Sequence, residues 1–286
     1  MELGIAFANT LVWGDSNGAI LGQLAEELGY DSLWTVEHVV LPAGYKSPYP
    51  YSKDGQMPGG EDATIPDPIV WLSYVAASTS KIKLGTGIVI LPQRNPILFA
   101  KEIATLDVVS HGRVLLGIGV GWLKEEFEAL GVPFENRAKR TDEHIGALRA
   151  IWRNDPASFH GELVNFEGMK SNPKPVQEGG VPIVVGGHSS AAAKRAGRLG
   201  DGFFPAIADV DKLTQLVAEM KEAAVAAGRD PEAIEITFGA SFDAGVIRHF
   251  RDLGVKRLVV PPLGRDAQAL KTFLGNTRDT VESALN

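Results

Sequence analysis

Lys83-Leu84-Gly85-Thr86-Gly87-Ile88-Val89-Ile90-Leu91-Pro92-Gln93-Arg94-Asn95-Pro96 reads as a buried strand that runs out into a turn and then into a helix. The run is rich in β-branched residues, as strands are, yet Gly85 and Gly87 interrupt it. Glycine packs nothing and loses more backbone entropy on folding than any other residue, so two in one buried strand need a reason. Either the strand faces an interior too tight for side chains, or a flat ligand lies on its backbone. The residues by themselves leave both readings open.

Working outward, a helix follows from Pro96 to about Ser110, with Ile97, Leu98, Ile103, Ala104 and Leu106 at helical spacing. Residues 114–121 form a fourth strand, 125–130 a short helix and 140–152 a longer one. Residues 157–175 suggest a hairpin around Gly161 and Gly168. Strand 5 spans 181–187, a helix 189–199, and strand 6 202–205. A helix over 211–227, strand 7 over 234–239, a helix over 246–253 and strand 8 over 257–261 follow. The last helix starts near Asp266, with a break expected near Gly275. Upstream lie strand 1 over 3–9, a helix over 18–29, strand 2 over 31–38, and a helix from Pro66 or Pro68 to Ser78. Residues 39–65 lack periodicity and hold Tyr45, Tyr49 and Tyr51 among four prolines. A loop that long inside a compact chain is usually functional or disordered, and the tyrosines favour a partly ordered lid over a linker.

About eight strand–helix alternations in 286 residues predict one α/β domain over 1–286, a closed (β/α)8 TIM barrel. An open doubly wound sheet rarely needs so many alternations. Net charge is −7 with the basic residues scattered, which argues against a nucleic-acid partner. There is no cysteine, so thiolate metal sites and cysteine nucleophiles are excluded, in keeping with a reducing cytoplasm. No apolar run reaches the roughly 18 residues of a membrane helix, so a soluble, cytoplasmic protein is expected.

Chemistry in such a barrel sits where strands run into the following loops. That rule selects Asn9; Glu37 and His38; Gly87 to Arg94; Gly119, Gly121 and Trp122; Gly186 to Ser190; Phe203 to Ala206; Gly239 to Asp243; and Pro261 to Arg265. An imidazole at the rim suits proton transfer near neutral pH, which makes His38 the catalytic candidate. In Gly186-Gly187-His188-Ser189-Ser190, small residues between a strand and a helix expose amides to an anion, although Ser189 also reads as a plain helix cap. Gly117-x-Gly119-x-Gly121 lacks the dinucleotide spacing and sits on the strand itself, so it points to room for a bulky group in the mouth. No metal-ligand spacing, rim lysine or G-x-S-x-G elbow is present, which leaves an organic cofactor as the source of chemistry.

Several segments together resemble the bacterial-luciferase-like family of flavin and deazaflavin oxidoreductases. They are Leu84-Gly85-Thr86-Gly87-Ile88, Arg94-Asn95-Pro96, Ala104-Thr105-Leu106-Asp107, Ser110-x-Gly112-Arg113, Leu116 to Trp122, and Glu125-Glu126-Phe127-x-x-Leu130-Gly131-Val132 followed by Phe134-x-x-Arg137. The Glu37-His38 strand exit and the Gly186–Ser190 loop fit as well. The Gly-Trp-x-x-Glu-Glu-Phe version is most similar to the F420-dependent actinobacterial branch. The resemblance implies coenzyme F420, with FMN as the alternative, and a hydride step with His38 beside the ring as acid, base or orienter. It implies a cofactor site at Glu37, Gly87, Ile88, Gly119, Gly121, Trp122, Gly186, Gly187, His188 and Ser189, with the phosphate on the loop from Gly186 to Ser190 and the ring on the Gly87-Ile88 backbone. It also implies a non-proline cis peptide at Gly87-Ile88, while Gly85, deeper in the barrel, is left to packing.

One departure matters. Where some deazaflavin dehydrogenases carry an acidic residue after the strand-4 glycines, this chain has Trp122, so a sugar-phosphate mechanism is not carried over. Trp122, Phe7, Trp13 and the loop tyrosines suggest an apolar wall, and an apolar or aromatic carbonyl, alkene or alcohol as the small-molecule substrate. A reduced-FMN monooxygenase, a catalytically silent flavin-binding relative, and a phosphosugar isomerase or aldolase are the competing readings. The missing rim lysine and carboxylate argue against the last. Surplus apolar residues in the helix over 66–79 (Val70, Trp71, Leu72, Tyr74, Val75) and in that over 96–110, together with the resemblance, suggest a homodimer.

Overall fold

The computed structural model describes residues 1–11, 17–205 and 209–286. Eight strands close into a barrel: β1 (Glu2–Ile5), β2 (Ser32–Thr35), β3 (Lys83–Thr86), β4 (Val114–Gly119), β5 (Ile183–Gly186), β6 (Gly202–Phe204), β7 (Glu235–Gly239) and β8 (Val255–Val260). Every neighbouring pair is parallel, and β8 returns to β1, with Leu3 opposite Leu258. The helices are α1 (Asn17–Glu27), α2 (Pro68–Ser78), α3 (Pro96–Val109), α4 (Lys124–Ala129), α5 (Arg137–Arg153), α6 (Ser190–Leu199), α7 (Val210–Ala226), α8 (Ala244–Asp252) and α9 (Ala267–Leu285). The expected barrel is therefore the observed one.

Local chemistry explains where helices begin. Asp67 accepts from the amides of Ile69 and Val70, each at 2.9 Å, and Asn95 accepts from those of Ile97 and Leu98 at 3.0 and 3.1 Å. In both helices a proline, Pro68 or Pro96, takes the first position, where no amide is needed. Two motif residues prove structural. Asp107 accepts from Val176 N and Gln177 Nε2 at 2.9 and 2.7 Å. Arg113 donates to the carbonyls of Ser110, Ala76 and Ile82.

Several boundaries differ from expectation. Strand 1 stops at Ile5 because Phe7 turns left-handed (φ 54°) and leads into a 3-10 turn, Ala8–Thr10. Strand 3 is broken, resuming as Val89–Ile90, which pairs with β4. The peptide between Gly87 and Ile88 is cis, as the family resemblance implied. The hairpin pairs Ala157–His160 with Asn165–Met169, so Gly168 lies within its second strand rather than at the turn. The last helix runs unbroken through Gly275.

The main core lies between the strands and the helices, while a smaller cluster of Ala6, Trp34, Leu115, Val184 and Val259, with Phe204 against it, fills the barrel. Trp34 is fully buried there, and a Cβ on Gly85 would stand 2.7 Å from its indole. Packing thus accounts for Gly85. At the lower end of the barrel Trp34 Nε1 donates to Ser32 Oγ at 2.9 Å, and the Arg257 guanidinium lies 5.6 Å from the indole centroid. Among the described residues no helix is long and apolar enough to cross a membrane.

Candidate active site

The strand-2 exit sends two neighbouring side chains to different tasks. Glu37, buried, accepts from Ile90 N at 2.5 Å and from the Arg94 guanidinium. Burial pushes its carboxyl above the ordinary value, and Arg94 and the Ile90 amide pull it back. Its carboxylate pins the resumed half of strand 3 and the turn after it. His144 on α5 supports the same turn, with Nδ1 3.2 Å from Leu91 O. Burial lowers its pKa to about 4, so near neutral pH it is an uncharged donor.

His38 follows. Its Nδ1 lies 3.1 Å from Oε2 of Glu126, whose side chain is wholly buried. The other oxygen, Oε1, accepts from Val39 N at 2.7 Å and from Val40 N at 3.3 Å. A carboxylate on Nδ1 selects the tautomer with its hydrogen there, which frees the Nε2 lone pair. Trp122 stands edge-on to the imidazole, with centroids 5.5 Å apart.

From Trp122 a chain of rings crosses the mouth. Tyr45 and Tyr49 lie 5.6 and 5.3 Å from the indole, Tyr51 5.2 Å from Tyr49, and His188 4.7 Å from Tyr51. The loop over 39–65 is therefore seated on the barrel, bridging the exits of β2 and β4 to that of β5. Glu125 fastens it, accepting from Lys46 N at 2.7 Å, Ser47 N at 3.1 Å and Ser47 Oγ at 2.7 Å. The Ser47 hydroxyl first, then the amides, hold the Glu125 carboxyl down to about 2.

Within the strand-3 stretch Leu84 to Pro92, only Gly87 and Ile88 keep partial exposure. A Cβ on Gly87 would lie 3.1 Å from the Phe204 ring. The neighbouring glycines serve Ile88. A Cβ on Gly119 or Gly186 would stand 2.6 or 2.5 Å from its side chain. At Gly119 the bulky group for which room is made is thus the Ile88 side chain. Gly121 has its own backbone reason to be glycine. Its φ is +78°, and a Cβ there would press on Ile90 and Phe127, both at 2.7 Å.

The β5 loop keeps its expected form. Gly187 adopts φ +125° beside Ala192, and Ser189 Oγ caps α6 by accepting from Ala192 N at 3.2 Å. Among the described residues no hydrogen bond to the protein involves the amides of Ser190 and Ala191 at the start of α6. His188 is half-buried, its Nδ1 lacks a partner, and burial lowers its pKa. Asn9 is not free for a ligand, since its amide donates to Val36 O and Pro66 O and its oxygen accepts from Val36 N. Trp13 and Ala206 lie outside the described residues. No metal-binding group of acidic, histidine or cysteine residues occurs among the described residues.

The model of the luciferase-like monooxygenase family matches residues 17–245. The chain belongs to this family. Among the relatives of this luciferase-like protein is a Mycobacterium tuberculosis (strain ATCC 25618 / H37Rv) protein described as uncharacterised, 31% identical over 271 residues, covering 93% of each chain. An FMNH(2)-dependent dimethylsulfone monooxygenase of Pseudomonas putida is 32% identical over 219 residues, 76% of this chain and 55% of that one. The coenzyme F420-dependent tetrahydromethanopterin reductase of Methanopyrus kandleri shares the fold, with a TM-score of 0.74 at 19% identity, covering 96% of this chain and 97% of that one. Deazaflavin and flavin enzymes, both oxidoreductases, thus stand among the proteins this luciferase-like chain resembles.

Proposed function

We propose that the protein is an F420-dependent oxidoreductase that moves a hydride between the deazaflavin and a small apolar organic substrate. The observation that carries this reading is the His38–Glu126 couple at the exit of the strand next to the partly exposed Gly87-Ile88 segment. Oxidising an alcohol to a ketone releases a hydride from carbon and a proton from oxygen. The cofactor, when bound, would supply the hydride acceptor. His38 Nε2 takes the proton, and the buried Glu126 carboxylate stabilises the imidazolium so formed. In the reverse direction the same nitrogen delivers a proton to the carbonyl oxygen. The partly exposed Gly87-Ile88 backbone would carry the flat ring, and the amides that open α6, reached past Gly187, would hold the phosphate.

A reduced-FMN monooxygenase is the second reading, favoured by the 32% identity to the dimethylsulfone enzyme. Titrating the purified protein with F420, FMN and reduced FMN, and following the change in chromophore absorbance, separates the two. Saturable F420 binding without FMN binding is expected. Binding of reduced FMN alone would overturn the deazaflavin reading, and binding of neither would favour a silent relative.

We also propose a homodimer. Trp71, Leu72 and Val75 of α2 are spent on the core, but Val70 and Tyr74 on α2, and Ile97 and Leu98 on α3, stay exposed. Sedimentation equilibrium should give twice the chain mass, and a single-chain mass at micromolar concentration would remove the proposal.

A further inference from the structure

The rings over the barrel mouth form a continuous series. His38 stands 5.5 Å from Trp122 between centroids, Tyr49 5.3 Å on the other side of the indole, and Tyr51 a further 5.2 Å along. Favourable aromatic packing by itself accounts for contacts at such spacings. Three further features set this series apart from ordinary packing.

The first is redox chemistry. Where thiols are absent, indole and phenol are the side chains that lose one electron most readily, and this chain holds no cysteine. Among the described tryptophans Trp34, Trp71 and Trp152 are buried, whereas Trp122 is half-buried at the mouth.

The second is where the series ends. A phenol that loses an electron also gives up its proton, so the last phenol must reach water or a base. Tyr45 touches Trp122 too, at 5.6 Å, but its hydroxyl is buried and lacks a partner among the described residues. The branch through Tyr49 instead ends at Tyr51, which is 45% exposed.

The third is fixed spacing. Electron transfer between rings weakens steeply with distance, so a working series has to be held still. Pro48 and Pro50 flank Tyr49 and restrict the backbone on both sides of it. Tyr49 N donates to Gly55 O at 2.8 Å, which closes the loop segment that carries both tyrosines. Just upstream, Glu125 clamps Lys46 and Ser47.

We propose that Trp122, Tyr49 and Tyr51 form a relay that carries one-electron oxidation away from the mouth to the outer surface of the loop. A one-electron oxidant of the oxygen-radical class, arising at the mouth, takes an electron from Trp122 and is itself reduced. The electron deficit passes by way of Tyr49 to Tyr51, whose phenol releases its proton to water. The product is a neutral phenoxyl at an exposed position, and a soluble thiol restores it by giving up one electron and one proton. The relay goes beyond the oxidoreductase reading and depends on no particular cofactor, so it is tested on the protein alone.

Pulse radiolysis in azide solution generates the azidyl radical, which oxidises accessible tryptophan in preference to tyrosine near neutral pH. In the parent protein the indolyl absorbance is expected to fall as phenoxyl absorbance rises, at a rate independent of protein concentration. The double variant Tyr49→Phe/Tyr51→Phe keeps both rings without their phenols and should lose that rise. Trp122→Phe should lose it as well, while Tyr45→Phe, altered in the same loop, should keep it. In Tyr51→Phe alone the phenoxyl stays on the half-buried Tyr49, so its repair by added glutathione should slow. A rise that survives in the double variant or in Trp122→Phe, that vanishes in Tyr45→Phe, or that scales with protein concentration overturns the proposal. An unchanged repair rate in Tyr51→Phe removes Tyr51 as the outlet and overturns it equally.

Discussion

Replacing His38 with alanine is expected to lower turnover by about 10²–10⁴-fold, the usual contribution of a positioned acid–base group. Replacing Glu126 with glutamine should cost at least about tenfold, because the amide carries no charge to balance an imidazolium and its single carbonyl oxygen can accept from His38 Nδ1 or from the Val39 and Val40 amides but not from both. The combination should be no worse than His38→Ala alone, since Glu126 acts through the histidine. Cofactor affinity should stay within about twofold of the parent in His38→Ala if the ring is carried by backbone at Gly87-Ile88. Glu126→Ala is the less informative change. It strands the amides of Val39 and Val40, each at a cost of about 1–3 kcal/mol, and so mixes folding with chemistry. Steady-state kcat and KM for the three variants decide the matter. Additive losses in the double variant would mean that Glu126 serves only the loop, and unchanged turnover in His38→Ala would end the acid–base role.

Arg257→Ala is expected to destabilise the fold by about 3–5 kcal/mol, read from denaturant melts. The guanidinium is buried at the lower end of the barrel. It donates to Glu2 Oε2 at 2.5 Å, Asp31 Oδ2 at 2.8 Å and Thr237 Oγ1 at 3.2 Å. Glu235 stands 3.7 Å away. Deleting it leaves carboxylates partly buried, with Lys83 and Lys256 as their remaining cations at 3.1–3.8 Å. Burial alone would raise the Asp31 carboxyl, but Arg257 and Lys83 outweigh it and hold it below its ordinary value. A carboxyl depressed in the folded state contributes stability that is present above its unfolded pKa and lost as pH falls. The gap between parent and variant should therefore narrow below about pH 4. Arg257→Lys keeps the charge without the fork and should cost less. A loss under about 1 kcal/mol for Arg257→Ala would show that the lysines already suffice.

The barrel was legible because its signal is repeated. Eight alternations of apolar strand and amphipathic helix survive an error of several residues at any boundary. Apart from the cis peptide at Gly87-Ile88, which the family resemblance implied, single-residue backbone events were not legible. Nothing in the apolar run over 3–9 warns that Phe7 turns left-handed. Strand-exit counting found the right rim but not the direction of each side chain. Glu37 and His38 are adjacent, yet one ties down strand 3 and the other faces Glu126. The partnership of His38 with Glu126 spans 88 positions, beyond any local pattern. Its one trace was the acidic pair after Trp122, where a residue destined for full burial sits in a helix's first turn. Gly119 was read as room for a bulky group without saying which, because a sequence cannot say which neighbour fills a gap, and Ile88 lies there.

Glu125 and Glu126 occupy consecutive positions on the six-residue α4. One grips the loop at Lys46 and Ser47, and the other grips the His38 turn. Successive side chains on a helix point about 100° apart, so one short rigid rod holds two separate strings. The loop is therefore no detachable appendage. Loop and α4 are a single exchangeable cassette, and a graft that transplants residues 39–65 from a relative inherits its histidine's alignment only if the matching α4 travels with it.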